Sequence, residues 1–127
     1  MESKLESVIA AIRERWGPEA IRRGSQYPST LSTGFGSLDH LLRIGGIPKD
    51  KLSELVTQTT AGRSILLAKM LHKAQSEGHQ IIYIDVDHGV DLDILSQQGV
   101  HFDALTIICP TSLHQALAIT YDIVKRG

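Results

Sequence analysis

A chain of 127 residues with 42% hydrophobic content holds enough apolar matter for one core without a disulfide framework or a structural metal. Its 13 basic and 14 acidic side chains nearly cancel to a formal charge of -1, which excludes a global field drawing the protein onto DNA or an acidic membrane. Cys109, the single cysteine, excludes an internal disulfide and reads as a buried strand thiol in a reducing compartment; no apolar run approaches the roughly 18 residues of a membrane span, so a cytoplasmic protein is expected.

Leu5, Val8, Ile9, Ile12 and Trp16 recur at steps of three and four, which predicts a helix over 3–16. Ser3 and Glu6 supply its capping box and Gly17-Pro18 stops it. Residues 17–36 are rich in Gly, Ser, Thr and Pro, with a basic pair at Arg22 and Arg23, and read as an irregular connection. The division is an N-terminal helical arm over 1–24 and an α/β core over 25–127.

Ser37 is placed to cap a short helical turn through Leu38, Leu41 and Leu42, ended by Gly45-Gly46, with Pro48 fixing the next turn. Leu52, Leu55 and Val56 predict a short strand. The pattern from Ser64 to Glu77 is helical, with Gly78 beyond its end. The β-branched run from Gln80 to Val86 predicts a strand covered on both faces. Residues 91–98 predict a short helix closed by Gly99, and Ala104 to Cys109 another buried strand, broken by Pro110. Ser112 caps a last helix to Arg126, with Leu113, Ala116, Leu117, Thr120, Ile123 and Val124 inward. Strands alternating with helices predict a parallel sheet built from βαβ units.

Between the strand at 52–56 and the helix that follows lies Thr57-Gln58-Thr59-Thr60-Ala61-Gly62-Arg63-Ser64. It is an altered copy of the phosphate-binding pattern G-x-x-x-x-G-K-S/T, in which backbone N–H groups wrap the phosphates, a lysine reaches the β and γ oxygens and a hydroxyl holds Mg²⁺. Gly62 and Ser64 fit, Thr57 replaces the first glycine and Arg63 replaces the lysine. Threonine reaches a glycine-type backbone geometry only at a cost of about 1 kcal/mol or more. A guanidinium spreads its charge over a planar fork and does not substitute for a compact ammonium. ATP and Mg²⁺ are therefore expected to bind weakly, without fast hydrolysis.

The next strand runs into Asp85, Asp87, Asp91 and Asp93. Asp85 and Asp87 share a face if the strand continues, and Asp87 is the candidate to orient a catalytic water. The alternative is that Asp91 caps the following helix, Asp93 favours its first turn and the others are solvated. The six histidines show no metal-binding spacing and read as surface or turn residues; Lys69, His72 and Lys73 form only a thin basic face.

Leu31-Ser32-Thr33-Gly34-Phe35-Gly36-Ser37-Leu38-Asp39, the run from Gly45 to Leu55, the run from Ile84 to Asp91, Gly99-Val100-His101-Phe102-Asp103, and Gln115-Ala116-Leu117 with Lys125-Arg126-Gly127 together resemble the RecA recombinase family, in one register over nearly the whole chain. The resemblance implies a partial RecA-type P-loop NTPase core, a parallel sheet with flanking helices, behind an N-terminal helix that docks on a neighbouring subunit, and a role in DNA recombination or repair. Carried over by position, residues 57–64 would hold the phosphates, Ser64 the Mg²⁺ and Asp91 the adenine, while Asp87 would stand at the catalytic glutamate. Asp87 is one methylene short of that glutamate, and Ile94 stands where an aromatic packs on the base. The family's second acidic strand and its DNA-binding loops have no counterpart in these residues, so a gap in the sheet is expected beside the phosphate-loop strand.

The leading expectation is a RecA-like protein that acts through contacts of residues 1–24 with itself or a full-length RecA-like protein, reaching DNA only indirectly or within an assembly and engaging no membrane. Its rivals are a DNA-dependent ATPase completed by oligomerisation, an accessory protein of translesion synthesis, and an interaction module that caps filaments.

Overall fold

The computed structural model describes residues 3–22, 24 and 28–127. Met1, Glu2 and Arg23 of the predicted arm lie outside the described residues.

Helix α1 (Lys4–Trp16) opens on the capping box read from the sequence: the Glu6 N–H donates to Ser3 Oγ, and the Ser3 N–H to Glu6 Oε2. Gly17 ends it at φ 90°, a conformation that favours glycine, and Pro18–Ala20 form a 3₁₀ turn. No residue of α1 is buried, and its packing is chiefly against that turn.

A two-residue ladder that the sequence reading missed follows: β1 (Thr30–Leu31) pairs antiparallel with β2 (Ile47–Pro48). Helix α2 (Gly36–Leu41) lies between them. Its N-cap is Phe35, not the predicted Ser37, and no side chain caps it; the turn before it is held instead by Asp39, which accepts from Ser32 and Thr33. Gly46 is what lets the chain close: a Cβ there would sit 2.2 Å from the Leu31 carbonyl oxygen.

The strand predicted at Leu52, Leu55 and Val56 does not form. Residues 52–57 pair with no described strand, and Leu52 is 101% exposed. An isolated extended segment has no ladder, and a ladder is what makes a strand. The described residues carry two separate two-stranded sheets, and residues 52–57 join neither.

Helix α3 (Thr60–Ser76) begins four residues before the predicted Ser64, because nothing in Thr60-Ala61-Gly62-Arg63 prevents helical hydrogen bonding. Glu77 is its C-cap, and Gly78 follows at φ 82°. Strands β3 (Ile81–Ile84) and β4 (Leu105–Ile108) form the predicted parallel pair, in register Ile81 to Leu105 through Ile84 to Ile108. Helix α4 (Leu92–Gln97) connects them, followed by a 3₁₀ turn at Phe102–Ala104. This is one βαβ unit, so the α/β class holds. Its faces are not both covered as predicted, since Ile82 is exposed, and so is Cys109 just past β4.

The core sits between α3, α4 and the parallel pair: Ala68, Leu95 and Val100 are buried, with Leu71, Val90, Ile94 and Leu105 packed against them. Polar ties lock α3 to the turn before β4. Gln75 exchanges two hydrogen bonds of 2.8 Å with the backbone of His101, and His72 Nδ1 lies 2.8 Å from the Gly99 carbonyl. The last helix, α5 (Leu113–Arg126), is capped by Ser112 as read, through the Gln115 N–H. Its inward face differs from the prediction. Ala116 is buried and Ile119 and Ile123 half-buried, while Leu113, Leu117, Thr120 and Val124 are exposed. Periodicity gives the stripe but not which edge of it meets the sheet.

Candidate functional site

The parallel ladder carries β3 to Ile84, and the Asp85 N–H adds one more bond, 2.9 Å to the Ile108 carbonyl. There the strand ends, so Asp85 and Asp87 do not share a strand face. Asp85 is 6% exposed and turns its carboxylate back on the chain: Oδ1 accepts from the Gly89 N–H and Oδ2 from the Val90 N–H, both at 3.1 Å. A buried carboxylate persists only when its oxygens are satisfied, and here two backbone donors satisfy it. The turn it closes forces His88 to φ 52°, left-handed for a residue with a Cβ, at a cost of about 1–2 kcal/mol. Asp87 is left exposed at the tip.

Facing this turn is the N-terminal end of α3. Between them lies a cleft of about 260 Å³, with Thr60, Arg63, Ser64 and Leu67 on the helix side. Tyr83, Asp85, Asp87 and Asp91 line the opposite side, and Val90, Ile94 and Leu95 close its apolar end. The structure therefore brings Thr60, Arg63, Ser64, Asp87 and Asp91 of the predicted site to one place. Thr57, Gln58, Thr59 and Gly62 do not line it, and the Ala61 side chain lies outside what the structure describes.

The reason lies in the early start of α3. Residues 57–59 are all that remains of an open loop; the Thr57 hydroxyl donates to the Thr59 carbonyl at 3.0 Å and closes it into a tight turn. Thr57 is not among the residues at positive φ. Thr59 is the N-cap, yet its side chain makes no capping bond, which leaves the first N–H groups of α3 without a side-chain acceptor. Ser64 turns inward, its hydroxyl donating to the Thr60 carbonyl at 3.1 Å. That bond commits its proton to the protein and leaves its oxygen lone pairs open to a cation.

Arg63 is exposed and makes no ion pair among the described residues. Three carboxylates thus share the cleft with one guanidinium. Asp91 serves two ends at once, lining the cleft and capping α4 through the Ile94 N–H at 3.0 Å. The donor set is consistent with a hydrated divalent cation accompanying an anion, because carboxylates alone would repel a phosphate. Among the described residues no group of three or more His, Cys, Asp or Glu side chains is placed to hold a metal ion.

Tyr83 was missed from sequence. Its side chain is half-buried in the cleft wall, where burial raises the phenol above its ordinary 10.0, Asp85 adds to that, Arg63 opposes it and Asp87 reinforces it. The signal was available: Tyr83 and Asp85 are two residues apart along a strand and so point the same way.

No helix among the described residues is long and apolar enough to cross a membrane. The sequence model of the RecA N-terminal domain matches residues 3–127. Protein RecA of Bdellovibrio bacteriovorus is 31% identical over 129 residues, covering 97% of this chain and 34% of that protein. Protein RecA of Gluconobacter oxydans is 32% identical over 127 residues, covering 97% and 37%, and that of Rickettsia canadensis 30% identical over 130 residues, covering 99% and 38%. The chain spans little more than a third of the length of these relatives. With a match running through the arm, both ladders and every element lining the cleft, the chain belongs to the RecA N-terminal domain family.

Proposed function

We propose that this chain is a RecA-like protein of DNA recombination or repair, cytoplasmic, that works chiefly through contacts of its N-terminal arm, residues 1–24, with another copy or with a full-length RecA-like protein. DNA is then reached within that assembly. The observation that carries the reading is the unpacked face of α1, where no residue is buried and Trp16 remains 69% exposed. A helix that spends a capping box and an apolar stripe on no intramolecular core gains stability only when a partner covers that stripe. The total surface agrees. The chain exposes 10188 Å², whereas a compact monomer of this mass exposes about 6,700 Å².

The cleft retains weak affinity for Mg²⁺–ATP in this reading, with Arg63, Ser64 and Thr60 toward the phosphates, Asp91 toward the base and Asp87 toward a water. The shortened 57–59 turn, which leaves little open loop to wrap phosphates, supports weak binding and slow turnover. Co-purification of the full chain with a full-length RecA-type recombinase, with and without residues 1–24, is the test. Loss on deletion is expected, and undiminished capture would rule out the docking arm.

A second reading, a DNA-dependent ATPase completed by oligomerisation, draws on Arg63, Ser64 and Asp87 lining one cleft. It requires hydrolysis that rises with protein concentration and disappears in Arg63→Ala.

A further inference from the structure

We propose that the Tyr83 hydroxyl is a ligand-binding group of the cleft, donating a hydrogen bond to an anionic, phosphoryl-type oxygen held by Arg63 on the facing wall. This rests on the nucleotide reading above and adds to it a residue that neither the loop pattern nor the acidic turn contains.

Position is the first ground. Tyr83 stands within β3, paired to Ile107 across the parallel ladder, so its ring is carried by the most regular part of the fold. It lines the cleft opposite Arg63 and Ser64. A group mounted on a strand is held more closely than one on a loop.

Donor supply is the second. Ionised carboxylates only accept hydrogen bonds, so Asp85, Asp87 and Asp91 offer an anion nothing. Ser64 directs its proton at the Thr60 carbonyl. The helix wall then offers the Arg63 guanidinium, the Thr60 hydroxyl and the uncapped N–H groups at the start of α3, and the facing wall offers the Tyr83 phenol as its side-chain donor. Among the described residues the Tyr83 hydroxyl takes part in no protein hydrogen bond, although a half-buried phenol normally has a partner.

Protonation is consistent with this. Burial and the two nearby carboxylates hold the phenol above its ordinary 10.0, so it keeps its proton at neutral pH. The phenol is also uncharged, and therefore sits beside Asp85 and Asp87 without competing with them for a cation.

The experiment is calorimetric titration of the full chain with Mg²⁺–ATP and, separately, with Mg²⁺–tripolyphosphate, for the parent, Tyr83→Phe and Tyr121→Phe. Tyr83→Phe keeps the ring, so its melting temperature and circular dichroism should match the parent. Its affinity for both ligands should fall about tenfold, as the loss of one hydrogen bond to a charged group predicts. The tyrosine ultraviolet difference spectrum on ligand addition should vanish in Tyr83→Phe and persist in Tyr121→Phe. Binding of Tyr83→Phe within twofold of the parent would overturn the assignment while leaving the nucleotide reading intact. Tripolyphosphate binding without ATP binding, lost in Tyr83→Phe, would overturn the nucleotide reading and support the hydroxyl. No binding of either ligand by the parent would overturn both.

Discussion

Asp39 holds Thr33 twice through one oxygen: Oδ1 accepts from the Thr33 N–H at 2.9 Å and from its hydroxyl at 2.7 Å, while Oδ2 accepts from the Ser32 hydroxyl at 2.6 Å. Thr33 is 1% exposed, so this carboxylate satisfies the polar groups of a residue shut away from water. Asp39→Ala is expected to lower stability by about 2–3 kcal/mol, because the buried Thr33 donors lose a charged acceptor. The Ser32 hydroxyl, then the Thr33 N–H, hold the Asp39 carboxyl below its ordinary 3.8. A depressed value means the contribution is complete above pH 3.8 and is lost as pH falls from there through the lowered folded value. The gap in denaturation midpoint between parent and Asp39→Ala should narrow over that acid range; a constant gap would contradict this account.

Gly46→Ala should be among the most damaging single-methyl additions in the chain. The Leu31 carbonyl lies where the new Cβ would go, and the φ of 154° already disfavours a side chain. Separating β1 from β2 is expected to cost about 3 kcal/mol. Urea denaturation measures it.

For the acidic turn, Asp85→Ala removes two charge-assisted bonds and the clamp that keeps His88 left-handed. A loss of about 2–4 kcal/mol is expected, with faster amide exchange at Gly89 and Val90. Asp87→Ala, at the exposed tip, should change stability by less than about 0.5 kcal/mol. Equal effects of the two substitutions would mean that Asp85 does not brace the turn.

On α1 the expected signature is the reverse. Trp16→Ala and Leu5→Asp remove exposed side chains and should leave the melting temperature nearly unchanged while weakening association by tenfold or more, as truncation of an interface anchor does. Sedimentation equilibrium across a concentration series separates the two effects.

What was legible from sequence follows from range. The Ser3–Glu6 box, the Ser112 cap and the helix stops at Gly17 and Gly78 are interactions over a few residues, and the pattern contains both partners. The parallel pairing of β3 with β4 followed from two apolar runs flanking a helix. Other features depend on distant chain. Leu52, Leu55 and Val56 have strand composition and no partner edge; the exposed side of α5 depends on where the sheet lies. Thr60, Arg63, Ser64, Asp87 and Asp91, singled out by chemistry, line one cleft. Asp85 was read only as a neighbour of Asp87 and Tyr83 not at all, because their positions are set once the chain has folded back to Gly89 and the ring has met the wall opposite Arg63.

The unpaired stretch at 52–57 has a practical consequence for anyone handling the chain alone. Bare amide and carbonyl groups beside Leu52, Leu55 and Val56 make a template for cross-β stacking, and the charges of Lys51 and Glu54 are the gatekeepers that oppose it. Neutralising both should turn a soluble preparation into one that fibrillates.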